Sequence, residues 1–301
     1  MKIIPLAFDS FSTRSVATFV DTKGCKILID PGISIAPIRY GLEPHPTEVR
    51  RLLDGWNLIK KYIKVADVMI LTHYHYDHYN PSEPELWKGK KARVKHPTEN
   101  INISQKGRAA EFLPKIQNIA EVEYSDGKEW EFGKTKLTFS KAVPHGPATR
   151  LGYVTEVMIE EGSECFIHTS DIEGPCLKEH TEFILKGNPS TLFVDGPLSY
   201  IMYRYGLKAM QNSVDNLIEI VKKTDVEKLV IDHHFLRDLK WKERVKDVFA
   251  AAEKKGIFFG SAAGFLDRKD ELLEANRKEL FKTHPAKATA GGEIAKFIGE
   301  E

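Results

Sequence analysis

Nowhere in these 301 residues do 18 apolar residues run together, so no transmembrane helix is expected. The opening MKIIPLAFDS holds neither a long apolar stretch nor the cleavage pattern of a secretory signal. Only three cysteines occur, Cys25, Cys165 and Cys176. None belongs to a CxxC pair, and an odd count argues against a disulfide framework. These absences together point to the cytoplasm. Net charge is nearly absent, at +1, so no overall field draws the chain to nucleic acid or to an anionic membrane. There is no GxSxG elbow, no Walker A loop and no GxGxxG fingerprint, which leaves serine hydrolysis, nucleotide-driven work and hydride transfer without support. Linker-like Pro/Gly/Ser tracts and short-period repeats are missing too.

What remains is a composition 42% hydrophobic and 29% charged, enough apolar material for a substantial core. Short apolar runs predict strands at Lys2–Phe8, Ser15–Val20, Lys26–Asp30, Asp67–Leu71, Lys136–Phe139, Leu151–Ile159, Glu164–His168, Thr191–Val194 and Lys228–Ile231. Helical periodicity places Met210, Val214, Leu217, Ile218 and Val221 on one stripe, and Trp241, Val245, Val248, Phe249 and Ala252 on another. Leu266 to Phe281 reads as a third helix, with Glu274 and Lys278 spaced for an i,i+4 pair. Strands dominate early and alternate with helices later. That order fits an α/β (α+β) fold of two sheets with helices outside, in one domain spanning 1–301. Residues 286–301 are small and polar and are expected to fray.

The chemistry concentrates in HYHYDH at residues 73–78. In extended geometry alternate side chains share a face, so His73 and His75 can address one centre. Asp77 and His78 follow at a turn and can serve a second. Imidazoles with a carboxylate suit zinc first, and also iron or manganese. A solvated polar turn is the bland alternative. However, the same grammar recurs downstream: LTFSKAV leads to Pro144-His145, ECFIHTS to Asp171, and KLVI to Asp232-His233-His234. Four apolar runs thus end at metal-ligand residue types, the place where open α/β sheets bind ligands.

HxHxDH after a strand, then a lone His, a lone Asp and a final His, resembles the ordered motif set of the metallo-β-lactamase superfamily. The likeness extends over nearly the whole chain, from ILIDPG to DHH, and includes a branch of predicted hydrolases from archaea and some bacteria. It implies a four-layer αββα sandwich with two divalent metal ions at the sheet edges. His73, His75 and His145 would hold one ion. Asp77, His78 and a late histidine would hold the other, with Asp171 bridging both. In the superfamily's tRNA 3′-processing branch the final His precedes an Arg by four residues. His233 and Arg237 reproduce that spacing, which favours His233 over His234 and leaves His234 behind the ligands. Asp30, in ILIDPG, matches the first motif and would support the histidine loop, although a turn-forming Asp-Pro-Gly has the same letters. Two such ions would share a bridging water, lower its pKa and polarise the substrate, while Asp77 would orient the nucleophile and handle a proton.

The surroundings bear on substrate. Residues 33–64, with Arg39, Arg50 and Arg51, read as a partly helical cap insertion or as an ordinary exposed helix. Arg150 and Arg237 are placed to approach an anionic substrate, since guanidinium matches phosphate and carboxylate bidentately. Tyr74, Tyr76 and Tyr79 either pack the loop or stack on a ring. The run Tyr200–Tyr205 reads as a lid, a contact between copies in a homo-oligomer, or core packing. His168 reads as a core residue or one behind the ligands; His45, His180 and His284 read as surface residues. Where the family pattern commonly continues with glycine, this chain has Tyr79-Asn80-Pro81. Short spacings after His145 and Asp171 leave no room for the RNA-handling insertions of the nuclease branches. The leading expectation is a metal-dependent hydrolase of a phosphodiester or phosphorylated small molecule. Thioester or lactone hydrolysis, and a non-catalytic metal- or RNA-binding protein, are the alternatives.

Overall fold

Two mixed sheets form the centre of the protein's structure, a computed structural model that describes residues 1–287 together with Ile294 and Phe297. The first runs in chain order through β1 (Lys2–Pro5), β2 (Thr18–Asp21), β3 (Lys26–Ile29), β4 (Val68–Leu71), β5 (Lys91–Val94) and β6 (Glu121–Tyr124). Strands β1 to β3 form an antiparallel meander and β3 to β6 are parallel. There follow β7 (Glu129–Phe132), β8 (Thr135–Phe139), a short ribbon of β9 (Val143–Pro144) with β10 (Tyr153–Val154), and β11 (Val157–Glu161). The chain continues through β12 (Glu164–His168), β13 (Thr191–Asp195), β14 (Lys228–Asp232) and β15 (Phe258–Gly260). The second sheet has the order β15-β14-β13-β12-β11-β8-β7. It is parallel from β12 to β15 and antiparallel beyond.

Alternation along the strands decides the layers. Ile27, Ile29, Val68 and Ile70 meet Leu137, Val157, Ile159, Phe166, Phe193 and Val230 in a core between the sheets. The intervening Leu28, Met69 and Leu71 face the other way, onto Leu52, Trp56 and Ile59 of the helix Pro46–Val65 and Phe112 of the helix Ile103–Ile116. On the far side Ile167, Leu192, Val194, Leu229 and Ile231 pack on Ile184, Val214, Leu217, Val221 and Val248 from three more helices. The result is the αββα sandwich that the motif order implied. Truncating a residue such as Ile70 in the middle layer would cost about 2–5 kcal/mol.

Several expectations are corrected. The segment 33–64 divides in two. Its helix, Pro46–Val65, is the crossover between parallel β3 and β4 and buries its apolar face on the first sheet, away from the site. Only the loop before it reaches the site, with Ser34 and Arg39. The third helix shrinks to Arg277–Thr283. Glu274 is not paired with Lys278; it turns inward and takes both Nε and Nη2 of Arg14 at 2.8 Å. A buried ion pair outcompetes a surface pair worth a few tenths of a kcal/mol. His45 and His180 are buried rather than superficial. His45 caps the helix Pro46–Val65, and His180 Nε2 lies 2.9 Å from the Pro144 carbonyl oxygen. Strands β5, β6 and β7 lie outside the apolar runs, because KARV, EVEY and EWEF carry too many charges to stand out as such. Most of 286–301, expected to fray, lies outside the described residues. Within it Ile294 and Phe297 are buried in the first core, Phe297 against Trp56.

Candidate metal centre

The histidine loop begins where β4 ends, and its first task is to be anchored. Asp30, just beyond β3, accepts from Thr72 N at 2.8 Å and Thr72 Oγ1 at 2.7 Å, and its Oδ2 lies 2.9 Å from His78 Nδ1. One carboxylate therefore ties both ends of the loop. Gly32 completes the anchor, since a Cβ there would come within 2.1 Å of Tyr79 N and 2.2 Å of the His78 carbonyl carbon. Only glycine admits this approach of two backbones. Packing then sorts the loop's side chains. Tyr74 donates to the Lys95 carbonyl at 2.6 Å and Tyr79 packs on Phe112, so both belong to the first core. Tyr76 remains at the mouth of the site.

Everything else converges on Asp171, in the loop after β12. Its Oδ2 lies 2.9 Å from His78 Nε2, 3.3 Å from His233 Nε2, 3.5 Å from His145 Nε2 and 3.6 Å from His73 Nε2. Two groups of residues that could hold metal ions share it: His73, His75 and His145 on one side, and Asp77, His78 and His233 on the other. His234 and Asp195 form a third group with Asp171. There, however, both Asp195 oxygens already accept from the backbone nitrogens of Glu173 and His234 and from His234 Nδ1. Asp195 is therefore an orienting carboxylate for His234, whose ring faces the cavity over the centre.

Behind the convergent atoms stands a second ring of partners. His233 Nδ1 lies 2.8 Å from Asp9 Oδ2, and the other oxygen of Asp9 accepts from Arg237 Nε at 2.8 Å. His145 Nδ1 lies 3.4 Å from Glu173 Oε1, an ion-pair contact without hydrogen-bond geometry. His73 Nδ1 sits near the hydroxyls of Thr72 and Ser170, at 3.2 and 3.4 Å, and His75 near the amide of Gln105 at 3.4 Å. Imidazoles that ligate metals need such partners on the nitrogen away from the ion. The strand-end turns carrying them are sharp: Asp30, Ser170, Glu173 and His233 all have positive φ. Such backbone costs of order 1–3 kcal/mol per residue and persists where surroundings over-determine it, as they do here.

A metal fits this arrangement on two grounds. The buried atoms His73 Nε2, His145 Nε2, His233 Nε2 and Asp171 Oδ1 have no hydrogen-bond partner among the described residues. An orphan of this kind costs about 1–3 kcal/mol, which a cation among them would relieve. The donor set is also right, five imidazoles and two carboxylates in two groups. Without a cation the electrostatics are divided. Burial, with the neighbouring His145, lowers the His75 imidazole to about 3. Burial also opposes a charge on His78 and His145. It is outweighed at His78 by Asp171, Asp30 and Asp77, and at His145 by Asp171 and Glu173, so each rises to about 10.

Above the centre lies a cavity of about 310 Å³. Asp77, His75, His145, Asp171 and His234 form its floor, and Tyr76, Tyr200 and Tyr203 contribute rings. Of the two arginines singled out for an anionic substrate, Arg237 lines it, although its Nε is committed to Asp9. Arg150 does not line it. It is exposed on a short 3-10 turn. The arginines that do line the cavity beside Arg237 are Arg14, Arg39, Arg108 and Arg204. Asp9, Glu173 and Asp195 stand outside the motifs that mark the ligands in the sequence. Asp9 and Asp195 each follow an apolar run, KIIPLAF and TLFV, the same signal that marked the ligands.

Fold and site together define a class: a four-layer sandwich with His/Asp groups that could hold metal ions at the strand ends. Comparison with known proteins agrees. The family model described as "Metallo-beta-lactamase superfamily" matches residues 13–224. The chain is 46% identical to a UPF0282 protein of Korarchaeum cryptofilum over 287 residues, covering 95% of this chain and 96% of that one. It is 42% identical to a UPF0282 protein of Methanocaldococcus jannaschii over 292 residues, covering 93% and 96%. Among solved structures it resembles yeast PDE1 (TM-score 0.53, 13% identity, 86% of this chain and 96% of that one). It also resembles an isothiocyanate hydrolase from Delia radicum gut bacteria (TM-score 0.51, 16% identity, 82% and 94%). At such identities these two likenesses concern the fold alone. The chain belongs to the metallo-beta-lactamase superfamily and, inside it, to the UPF0282 proteins.

Proposed function

We propose that this protein is a hydrolase that works with two divalent metal ions on a phosphodiester or another phosphorylated small molecule. The observation that carries this reading is the set of buried, unpartnered imidazole nitrogens gathered around the shared carboxylate of Asp171. His73, His75 and His145 would hold one ion, Asp77, His78 and His233 the other, and Asp171 both. Zinc suits these donors first, iron or manganese next. Metal ions held by these residues would supply activated water at neutral pH and Lewis-acid polarisation of the substrate. The chain's own residues do the rest. Asp77, one of the cavity-lining ligands, orients the attacking oxygen and takes up its proton. His234, fixed by Asp195, contacts the substrate from the same cavity floor. The arginine-rich rim favours an anionic ester over a lactone or thioester.

The test is direct. Purified protein should carry up to two transition-metal ions per chain and hydrolyse bis(4-nitrophenyl) phosphate. Changing His73→Ala together with Asp77→Ala should remove both properties. Undiminished metal content in the double variant would sink the assignment of ligands. A metal-loaded protein that cleaves thioesters or lactones but no phosphoester would sink the assignment of substrate.

A further inference from the structure

The arginines over the centre differ in how they are engaged. Arg14 is bound by Glu274 and Arg237 by Asp9. Two others are laid on aromatic rings: the Arg108 guanidinium stands 4.5 Å from the centroid of Tyr76, and that of Arg39 stands 4.5 Å from Tyr200, with its Nε also 3.8 Å from Glu274 Oε1. The fifth, Arg204, follows Tyr203 at the lip of the same cavity. Tyr203 is 91% exposed, a large ring left in water where a ligand would enter. The carboxylates lining the cavity are Asp77, Asp171 and Glu173, each on or behind a candidate metal ligand. Beyond the floor, therefore, the walls offer guanidinium groups and flat π-faces. Only Leu151, Leu198 and Ile201 supply aliphatic surface.

We infer that the cavity takes a nucleotide phosphodiester, its phosphoryl group at the metal-binding floor and its base stacked on the tyrosines of the rim. The inference rests on the hydrolase reading above and names its substrate class. Three features point the same way. Guanidinium groups beside rings are the combination that recognises a nucleotide unit, since phosphate is met by charge and the base by stacking. A sugar phosphate would leave the exposed ring of Tyr203 without a role, and an acyl chain would meet little aliphatic wall. The cavity, about 310 Å³, stands at the small end of the ~300–1,000 Å³ range for small-molecule sites. It has room for one nucleotide unit. The chemistry balances without a co-reactant: water's oxygen joins phosphorus, one P–O ester bond breaks, and a proton goes to the departing alcohol.

Calorimetric binding of AMP and of ribose 5-phosphate to the metal-loaded full-length protein tests this. Stacking of one base is typically worth a factor of about ten or more in affinity. AMP should therefore bind at least tenfold more tightly than ribose 5-phosphate. Tyr203→Ala should erase most of that ratio by weakening AMP alone, and Tyr203→Phe should restore it. Arg204→Ala should weaken both ligands together. Equal affinity for the two ligands in the wild type, or a ratio untouched by Tyr203→Ala, would overturn the inference. Turnover of bis(4-nitrophenyl) phosphate, followed in parallel, separates the two readings. Turnover without preference for AMP defeats the nucleotide and leaves the hydrolase standing. Preference for AMP without turnover of any ester does the reverse.

Discussion

The two candidate metal groups share Asp171 but are backed by different chemistry. In the Asp77–His78–His233 group both imidazoles lean on carboxylates, His78 on Asp30 at 2.9 Å and His233 on Asp9 at 2.8 Å. In the His73–His75–His145 group, His73 meets hydroxyls and His75 an amide. Only His145 faces a carboxylate, Glu173, and at the longer distance of 3.4 Å. A carboxylate behind an imidazole fixes its tautomer and makes the opposite nitrogen a stronger donor. A count of ligands therefore makes the groups look equal, while the partners behind them rank the group of His78 and His233 as the firmer.

The bluntest way to break the comparison is to remove what is shared. On the proposed two-ion reading, Asp171→Ala should empty both groups, taking metal content toward none and lowering any phosphodiester turnover by about 10³ or more. Elemental analysis of the purified variant checks it. Retention of both ions would mean that Asp171 does not join the groups. Next in size is Asp9→Asn, which keeps the volume but cannot serve both His233 and Arg237 as an acceptor. Affinity for the second group's ion should fall about 10–100-fold. Leaving Arg237 buried beside a neutral amide should also cost about 3–5 kcal/mol of stability. Metal titration and thermal melts measure the two effects separately.

This asymmetry also marks the limit of what was legible in the sequence. The ligands announced themselves because each ends an apolar run and is of a rare, specific type, as with HYHYDH after DVMIL or Asp171 after ECFIHTS. The sandwich followed from the same runs. The outer partners did not announce themselves, because a carboxylate that orients an imidazole has no spacing of its own. Asp9 lies 224 residues from His233 along the chain. Glu173 matters through a backbone turn that no local pattern specifies. The helix expected over 266–281 failed for a related reason. Glu274 is drawn to Arg14, 260 residues away, and a long-range ion pair overrode a good local period. Arg150 was chosen for its closeness to His145 in sequence, whereas Arg108 and Arg204 reach the cavity from distant helices.

A smaller effect sharpens the comparison through pH. In metal-stripped protein the His78 imidazole, raised to about 10 by Asp171, Asp30 and Asp77 against burial, is protonated at neutral pH. A group raised from an unfolded value near 6.5 contributes stability that is complete below about 6.5 and is lost as pH climbs through about 10. His145 behaves alike, whereas His75, lowered to about 3, does not carry charge in this window. The stripped protein should therefore melt at progressively lower temperature from pH 7 to pH 10. The loaded protein should not, because the ions require these imidazoles neutral and take the place of their protons. Parallel melting profiles for the two forms would contradict this account.

The finest test lies in the weaker group. Glu173→Gln keeps the side chain's size, which matters because a Cβ at Gly146 would already stand 2.1 Å from Glu173 Oε2. The substitution leaves the backbone bond from Glu173 N to Asp195 intact, so among the candidate ligands its effect should fall chiefly on His145. Across 3.4 Å the carboxylate does less for its imidazole than Asp9 does across 2.8 Å. The loss in affinity should therefore be about tenfold or less, at the low end for outer partners. Reading it cleanly needs one group at a time. Glu173→Gln is measured in an Asp77→Ala background, where the first group binds alone, and Asp9→Asn in a His75→Ala background, where the second does. A larger loss from Glu173→Gln than from Asp9→Asn would reverse the ranking. Closeness of the carboxylate would then not be what sets the strength of these two groups.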